Sequence, residues 1–474
     1  MFSARADSLI LAIVKIKSRN SHPDVSPARA AAFDILLRVE RQSSYASELL
    51  HSRTYGRLTA VDHSLVTELV MGVLRWRSLL DSQIAESSAQ PLGKLDLEIL
   101  TAVRLAVYQL HWLSRIPARA AINESVELVK RARKRSAASF VNAILRKTVA
   151  SGSQVEASQH AISADSVEAL AASSAHPTWL VERWTRAYGL DSAFRICQHD
   201  QTVPVTAIRL RSLEAEAQLR TEGIELAPGA LLASARRVEH GDVSRSAAFR
   251  AGLCVIQDEA SQLVAALVGR GARILDCCAA PGGKTLAIAD GNPNAEVAAV
   301  DLHPHRARLL RRLLSANDRE AGTRKIRVVA ADAQNLPFAA NFDRVLADVA
   351  CSGTGTLARN PEIKWRLTPE DVTDLQMRQL AILRSAMAHV VAGGRLIYST
   401  CSLEREENEA VIERSLEGDS SFRVLNCRAE LERLQREKEL SWPDLRSLTR
   451  GPYLRTLPGV HPSDGFFAAI LERI

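Results

Sequence analysis

The first third of the chain places apolar residues at helical spacing and carries no strand pattern. Five segments between residues 26 and 147 have apolar side chains three or four positions apart, as one face of an amphipathic helix does. In the first segment, Phe33, Leu36 and Leu37 share a face, and Ser26-Pro27 before it is typical of a helix start. We therefore predict an all-α domain over residues 26–150.

Three regions around this domain have a different pattern. Residues 1–25 contain an apolar patch, Leu9 to Val14, that is too short for a signal peptide, so we interpret them as a tail. Residues 151–175 turn to Ser, Ala and polar residues, which predicts a linker. Residues 176–250 combine an aromatic helical face with short strand patterns, which predicts a small α/β unit.

From residue 251 onward, short β-branched runs alternate with helical stretches. Most of the runs end in Asp or Cys, and they cover residues 272–277, 295–301, 325–332, 342–349, 394–401 and 466–474. Strands that are apolar on both faces and joined by helices predict a doubly wound, Rossmann-like parallel sheet, the centre of an α/β domain over residues 251–474. Ligands of such sheets bind beyond the carboxyl ends of the strands, where these Asp and Cys residues lie.

The loop after the first strand, Cys278-Ala279-Ala280-Pro281-Gly282-Gly283-Lys284, looks like a phosphate loop but matches neither nucleotide motif. A Walker A sequence needs glycine where Cys278 stands, and two adjacent glycines do not make the dinucleotide fingerprint. Asp301 and Asp332 end the next two strands, where carboxylates bind ribose hydroxyls or an exocyclic amine. Ribose and adenine without a pyrophosphate site indicate S-adenosylmethionine. The alternative is that each Asp caps a helix or turn, which three acids at successive strand ends make less favoured.

Composition narrows the class of protein. The 474 residues are 46% hydrophobic and 24% charged, as in globular proteins. No apolar run approaches the ~18 residues of a membrane span, so we expect no membrane association. Seven scattered cysteines without a C-x-x-C pair describe neither a disulfide framework nor a zinc site, which predicts reduced thiols, a cytoplasmic location and no metal.

The basic excess favours a polyanionic partner. The formal net charge is +7, and the run from Lys130 to Arg135 holds five of the basic residues. This run either ends a helix as a solvated segment or contacts phosphates, and the sequence leaves both interpretations open.

Two sets of motifs resemble known families. In the last 300 or so residues, CCAAPGGKT, VDLHPHR, ADAQNLPF, DVACSGTGTLARNPEIKW and YSTCSLEREENEAVIE are similar to successive motifs of the Sun-type RNA cytosine-5 methyltransferases. Before them, AAFDILLRVE, LVTELVMGVLRWR, AVRLAVYQL, AAINESVELVK and FVNAILR resemble the NusB-like RNA-binding helical domain. The resemblance implies S-adenosylmethionine as methyl donor, a cytosine of small-subunit ribosomal RNA as acceptor, and RNA contacts by residues 26–150 and 176–250. We expect the chain to act as a monomer.

The resemblance also assigns roles to residues. Cytosine C5 is a poor nucleophile, so a thiolate must add to C6 before C5 can attack a sulfonium methyl group. In the resembled family the Thr-Cys cysteine is the nucleophile, which falls on Cys401, and the other cysteine, here Cys351, assists product release. Asp348 would hold the base near N3, and Lys284 would lower the thiolate pKa or contact the cofactor. The cofactor positions that match are Cys278 through Lys284, Asp301, Asp332 and Asp348.

The remaining cysteines are interpreted as small buried apolar residues. They are Cys197, Cys254, Cys277 and Cys427.

The chain departs from the resembled family at two places. The family has Asp-Ala-Pro-Cys where this chain has Asp348-Val349-Ala350-Cys351, and without proline the turn that places Cys351 is less constrained. An Arg-x-Asn motif reads Arg209-Leu210-Arg211 here, so the asparagine contact is lost.

Two alternative functions stay open at this point. Transfer RNA is a rival substrate, because related enzymes share the catalytic motifs. A non-catalytic RNA-binding assembly factor is the other alternative, although a scaffold does not need two cysteines at neighbouring strand ends.

Overall fold

The computed structural model describes residues 25–42, 44–150, 162–163, 165–316, 325–339 and 341–474. Residues 1–24 of the predicted tail and residues 151–161 of the predicted linker lie outside the described residues. The chain divides into an N-terminal unit, up to residue 160, and a C-terminal unit from residue 161, with residues 74–78 assigned to the second.

Helices alone make up the regular structure of residues 25–42 and 44–150, as predicted. They are α1 (Pro27–Gln42), α2 (Ala46–Leu50), α3 (Ala60–Arg75), α4 (Arg77–Ser87), α5 (Leu97–Trp112), α6 (Ala118–Arg131) and α7 (Ala138–Ala150). Arg29 is buried and donates to Glu124 at 2.7 Å and Gln109 at 2.6 Å, which ties α1 to α5 and α6. A buried guanidinium needs such partners, so these bonds fix how the three helices pack.

The basic run after α6 is divided between ion pairs and exposed side chains. Lys130 pairs with Glu127 at 2.6 Å, and Lys134 pairs with Asp96 at 2.9 Å. The arginines between and after them are exposed, namely Arg131, Arg133 and Arg135. The two lysines therefore serve the helical unit, and the arginines remain accessible to a ligand.

Three helices open the C-terminal unit. They are α8 (Val167–Ser173), α9 (Thr178–Tyr188) and α10 (Leu190–Asp200). Helix α8 lies inside the range predicted to be a linker, so that part of the prediction is wrong. The Ser166 hydroxyl caps it by accepting from Ala169 N, and Leu170 and Ala171 are buried. Two short turns rich in Ala and Ser give too little periodicity for a helix to be recognised in the sequence.

A small four-stranded sheet follows. Its elements are β1 (Thr206–Leu210), α11 (Leu213–Thr221), β2 (Glu225–Pro228), β3 (Ala235–His240), α12 (Ala247–Arg250) and β4 (Cys254–Ile256). The strand order is β2-β3-β1-β4, and every neighbouring pair is antiparallel. This is the small α/β unit that the sequence predicted.

The rest of the chain forms the large α/β layer structure. Its elements are α13 (Glu259–Leu267), β5 (Arg273–Asp276), α14 (Gly283–Gly291), β6 (Glu296–Asp301), α15 (Pro304–Ala316), β7 (Lys325–Ala330), β8 (Phe342–Asp348), α16 (Ile363–Arg366), α17 (Pro369–Met387), β9 (Val390–Thr400), α18 (Glu409–Leu416), β10 (Phe422–Leu425), α19 (Cys427–Arg436), β11 (Thr449–Arg450), β12 (Tyr453–Arg455) and β13 (Phe467–Arg473).

The large sheet is mixed. Strands β7-β6-β5-β8-β9 are parallel in that order, and β13 pairs antiparallel with β9. Strands β10 and β12 share the other edge of β13, and β11 pairs with β12. The predicted parallel sheet is thus correct for five strands and wrong for β13. An apolar run indicates that a strand is buried but does not indicate whether it runs parallel or antiparallel to its neighbours. Strands β10 to β12 were missed because two to four residues carry no period.

Both faces of this sheet are buried, which explains why its strands read as continuous apolar runs. Ile274 and Leu346 pack on one face with α13 and α19, and their chain neighbours Leu275 and Val345 pack on the other with α17 and α18. Among the described helices, none is long and apolar enough to span a membrane. The described residues also contain no group of three or more His, Cys, Asp or Glu side chains that could hold a metal ion.

Ion pairs to Asp290 join the small sheet to helix α14, which packs on the large sheet. At the end of α14, the Asp290 carboxylate meets Arg211 Nε at 2.9 Å and NH2 at 2.8 Å, and Arg209 NH2 at 2.8 Å. Arg211 also donates to Gly252 O at 2.7 Å. Where the resembled family has asparagine, Arg211 therefore makes a bidentate ion pair with Asp290.

Replacing Asp290 by Ala should destabilise the protein substantially. The Arg209 and Arg211 side chains are only 10% and 2% exposed, so removing the carboxylate leaves buried guanidinium charge without its counterion. We expect the free energy of unfolding, measured by urea titration, to fall by about 3 kcal/mol. Asp191→Ala is the control, because Asp191 is 79% exposed in its pair with Arg195, and its loss should cost under about 0.5 kcal/mol. Equal losses in the two variants would contradict this account.

Candidate active site

The candidate site lies where the order of the parallel strands reverses. The chain leaves β5 toward β6 and β7 on one side, then returns to β8 on the other side of β5. In open α/β sheets the crevice beyond the carboxyl ends of two such strands is the ligand site. Here the loop after β5 and the end of β8 form a cavity of about 360 Å³.

The loop after β5 has a backbone that glycine alone accommodates. The Ala280–Pro281 peptide is cis, and Gly282 has φ +118°. A Cβ on Gly282 would lie 2.7 Å from Leu310 and 2.8 Å from Leu313 on α15, so the loop packs directly against that helix. Helix α14 begins at the next residue and points its first turn into the cavity.

The predicted site residues fall into two groups. Those that line the cavity are Cys278, Ala279, Ala280, Pro281, Gly282, Gly283, Lys284 and Asp348. Asp301, Asp332, Cys351 and Cys401 do not line it. A larger cavity of about 910 Å³ lies at the amino ends of β5 and β6 beside Asp290 and contains none of the predicted residues.

Lys284 and Asp348 form an ion pair across the crevice. Lys284 Nζ lies 2.7 Å from Asp348 Oδ2 and 5.0 Å from the centre of the Phe466 ring. Burial opposes the lysine charge, but the Asp348 carboxylate outweighs it and raises the pKa of Lys284. Asp348 Oδ1 accepts from the Ser399 hydroxyl at 2.7 Å, which couples the end of β8 to that of β9.

Asp276, at the end of β5, is a buried carboxylate that is only partly hydrogen-bonded. It is 1% exposed, and burial raises its pKa from 3.8 to about 7. Oδ2 accepts from the Thr285 hydroxyl at 2.7 Å, whereas Oδ1 has no hydrogen-bond partner among the described residues. Asp276 also lines the cavity, so this buried carboxylate lies beside the space that a ligand would occupy.

The next two strand ends carry carboxylates with local partners. Asp301 is buried, and its Oδ1 accepts from His303 N at 3.0 Å. Asp332 accepts from Gln334 N at 2.9 Å and caps the turn that follows β7. Both therefore make the capping contacts of the alternative interpretation. The second oxygen of each carboxylate also has a partner, Arg306 Nε at 3.7 Å for Asp301 and Gln334 Nε2 at 3.3 Å for Asp332.

The two cysteines of the last motifs are in contact. Cys351 Sγ and Cys401 Sγ lie 3.3 Å apart, although 50 residues separate them in the chain. The hydrogen bond to Cys401, followed by burial and the charges of Cys401 and Glu407, raises the pKa of Cys351 well above its ordinary value. The interpretation of the other cysteines is consistent with their surroundings, since Cys197, Cys254, Cys277 and Cys427 are all buried.

The turn before Cys351 is held in place although it lacks proline. Val349 N donates to Ser399 O at 3.0 Å, and Gln379 Nε2 donates to Ala350 O at 3.0 Å. Hydrogen bonds from β9 and α17 thus fix the backbone on both sides of the peptide that proline would have constrained.

The cavity is also lined by charged side chains that are not among the site residues predicted from the sequence. Arg359 Nε donates to Asp464 at 2.8 Å, and its NH2 donates to Asp258 at 3.3 Å, so three charged side chains form one wall. Asp276 is not among the predicted site residues, although its place at the end of an apolar run, like that of Asp301, is a signal visible in the sequence. No local signal marks Asp258 and Asp464, which are brought together across 206 residues.

Comparisons with solved structures support this fold. A crystal structure described as PH0851 matches with a TM-score of 0.75 at 23% identity, over 95% of this chain and 99% of that chain. NSun6 from Pyrococcus horikoshii matches with a TM-score of 0.52 at 19% identity, over 63% of this chain and 98% of that chain. At these identities the likeness concerns the fold alone.

Sequence comparisons identify the family. The model of the 16S rRNA methyltransferase RsmB/F family matches residues 267–472, and the NusB family model matches residues 26–150. The probable ribosomal RNA small subunit methyltransferase B of Bacillus subtilis is 34% identical over 94% of this chain and 98% of its own length. The Escherichia coli ribosomal RNA small subunit methyltransferase B is 32% identical over 86% of this chain and 90% of its own length. The chain therefore belongs to the ribosomal RNA small subunit methyltransferase B family and is an S-adenosylmethionine-dependent methyltransferase.

Proposed function

We propose that the protein methylates C5 of a cytosine in small-subunit ribosomal RNA through a covalent adduct between Cys401 and C6 of the base. The observation that carries the proposal is the contact of Cys351 and Cys401, 3.3 Å apart beside the Lys284–Asp348 ion pair. Methyl transfer to a nitrogen or oxygen atom needs no thiol, whereas transfer to C5 needs a nucleophile that attacks and later leaves. The names of the relatives support ribosomal RNA as the substrate.

The cavity suits S-adenosylmethionine. Asp276 Oδ1 offers the acceptor that a methionine ammonium group needs, and Gly282-Gly283 lets a ligand approach the backbone closely. The Lys284 ammonium is placed to contact a carboxylate, and Asp301 and Asp332 would accept from ribose and adenine. When bound, the cofactor supplies an electrophilic methyl group.

Each residue of the site then has its own role in the reaction. The Cys401 thiolate attacks C6, and the new C6–S bond shifts the π electrons toward C5, which can accept the methyl group. Asp348 would hydrogen-bond the base near N3 and stabilise the electron-rich ring, with Lys284 balancing its charge. A water molecule accepts the C5 proton, the C5–H electron pair restores the C5–C6 double bond, and the C6–S electron pair returns to Cys401.

Cys351 is placed to act in the release step. Its sulfur touches Cys401 Sγ, so it can exchange a proton with the nucleophile as the thiolate forms and departs. The raised pKa of Cys351 keeps it protonated near neutral pH, which makes it a donor to the Cys401 thiolate.

The N-terminal helical domain and the small α/β unit would supply affinity for the RNA backbone. The exposed Arg131, Arg133 and Arg135 give the helical domain an accessible cationic segment. The target cytosine must leave its stack to reach Cys401, so we propose single-stranded or splayed RNA at that position.

Substituting each cysteine separately should distinguish the attack of the thiolate on C6 from the release of the methylated RNA. We expect Cys401→Ala to transfer no methyl group, because no thiolate can add to C6. Cys351→Ala should instead accumulate an RNA–protein adduct that survives denaturant, because attack proceeds and elimination is slow. The measurement is transfer of labelled methyl groups from S-adenosylmethionine together with denaturing gel electrophoresis of the protein.

Two controls accompany this experiment. Cys427→Ala removes a buried thiol that donates to Ala468 O and to neither cysteine of the pair, and it should leave methyl transfer unchanged. Transfer RNA assayed beside small-subunit ribosomal RNA identifies the substrate class. Transfer to neither RNA by the wild type would contradict the proposed function, and adduct formation on transfer RNA alone would contradict its substrate.

Cofactor binding should depend on pH through Asp276. A carboxylate accepts from an ammonium group best when ionised, and the pKa of Asp276 is raised to about 7 by burial. As pH falls from 8 to 6, protonation should raise the Kd for S-adenosylmethionine about tenfold. Asp276→Asn should bind more weakly at pH 8 and show a flat profile by calorimetry. Asp191→Asn, in an exposed position, should keep the wild-type profile, and a pH-dependent Asp276→Asn variant would contradict this assignment.

A further inference from the structure

A buried glutamate connects the two cysteine loops. Glu407 is 0% exposed and lies in the turn Arg405–Glu407, just before α18. The residue after each cysteine is a buried serine, Ser352 in one loop and Ser402 in the other. Both serine hydroxyls donate to the same carboxylate oxygen, Glu407 Oε2, and they lie 3.0 Å from each other.

The other carboxylate oxygen holds the turn before Cys351. Glu407 Oε1 accepts from Ser352 N at 2.8 Å and from Gln379 Nε2 at 2.9 Å. The same Gln379 amide donates to Ala350 O, so Glu407 and Gln379 bind the backbone on both sides of Cys351. Tyr398 fixes the glutamate itself by donating to Glu407 O at 2.6 Å.

Glu407 has no ion-pair partner among the described residues, which is unusual for a carboxylate with no exposed surface. Its neighbours in the same turn differ, since Glu404 and Glu406 both pair with Arg183. Burying an unpaired charge is costly even with four hydrogen bonds, and a neutral glutamine could make similar contacts. We infer that Glu407 stands here, in place of a neutral glutamine, because its negative charge has a function.

We propose that Glu407 is the positioning residue of the cysteine pair: it holds Cys351 and Cys401 in contact through Ser352 and Ser402, and its charge keeps the shared proton on Cys351. The inference rests on the proposed function, because it explains how one of two adjacent thiols becomes the nucleophile. Of the two protons of the pair, one goes to solvent and one stays on Cys351 Sγ, so the thiolate forms on Cys401. The Glu407 charge is among the groups that raise the pKa of Cys351, which agrees with this distribution.

The charge is tested with Glu407→Gln in the full chain. Limited alkylation by iodoacetamide near neutral pH, without RNA, is quantified for each cysteine by mass spectrometry of its peptide. In the wild type most of the label should fall on Cys401. In Glu407→Gln the ratio of Cys351 to Cys401 labelling should rise about tenfold, the effect of one pKa unit on the proton distribution.

The same variant should show a specific kinetic defect. We expect kcat to fall about tenfold, while the KM for RNA and the Kd for S-adenosylmethionine stay within about twofold of wild type. Glu406→Gln is the matched control, because Glu406 occupies the same turn but is 40% exposed and contacts neither cysteine loop. It should leave the labelling ratio and kcat unchanged.

The hydrogen bonds are tested with a variant that keeps the charge. Ser352→Ala combined with Ser402→Ala removes both hydroxyl contacts to Glu407, and the yield of a Cys351–Cys401 disulfide after treatment with diamide should fall severalfold. A wild-type disulfide yield in this variant, or a wild-type labelling ratio in Glu407→Gln, would overturn the inference. So would a loss of cofactor affinity parallel to the loss of kcat in Glu407→Gln, since that reflects general structural damage.

Failure of the inference and failure of the proposed function give different results. If the wild type methylates RNA and the Glu407 variants change neither labelling nor kcat, only the inference is wrong. If the wild type methylates no RNA while its labelling ratio still responds to Glu407→Gln, the proposed function is wrong and the control of the thiol pair by Glu407 stands.

Discussion

The rest of the site depends on the ion pair between Lys284 and Asp348. Each side chain brings a charge into a crevice that is mostly closed to water, and each makes the burial of the other tolerable. The pair joins the first turn of α14 to the end of β8, and the hydrogen bond from Ser399 extends the connection to β9. The elements that carry the loop after β5 and both cysteines are thereby held at one edge of the sheet.

Much of this arrangement could be predicted because strand ends are visible in a sequence. Apolar runs that stop at Asp276, Asp301 and Asp348 identify the carboxyl edge of a parallel sheet. The same pattern predicts that the loop up to Lys284 lies at this edge, because it follows the first of these strands. Strand direction could not be predicted, since β13 is as apolar as its parallel neighbours. The wall formed by Arg359, Asp258 and Asp464 could not be predicted from the sequence either, because contacts between residues 100 or more positions apart leave no local pattern.

Buried carboxylates have different roles in this unit according to how they are satisfied. Asp290 is paired with two arginines and joins the small sheet to α14, whereas Asp348 is paired with one lysine beside the candidate cavity. Asp276 lines that cavity and has one oxygen without a hydrogen-bond partner among the described residues, and both oxygens of Glu407 accept from neutral donors. The environment and not the residue type separates structural carboxylates from those that face a ligand.

The turn from Val349 to Ala350 also bears on how such a site is held in shape. Its backbone geometry is imposed from outside, by a carbonyl of β9 and an amide of α17, rather than by the residues of the turn itself. Because contacts from other elements carry that constraint, the turn does not need proline to keep its shape. The side chain of Gln379 is the sequence feature that accompanies this geometry, since Ser399 contributes only its backbone carbonyl to the turn.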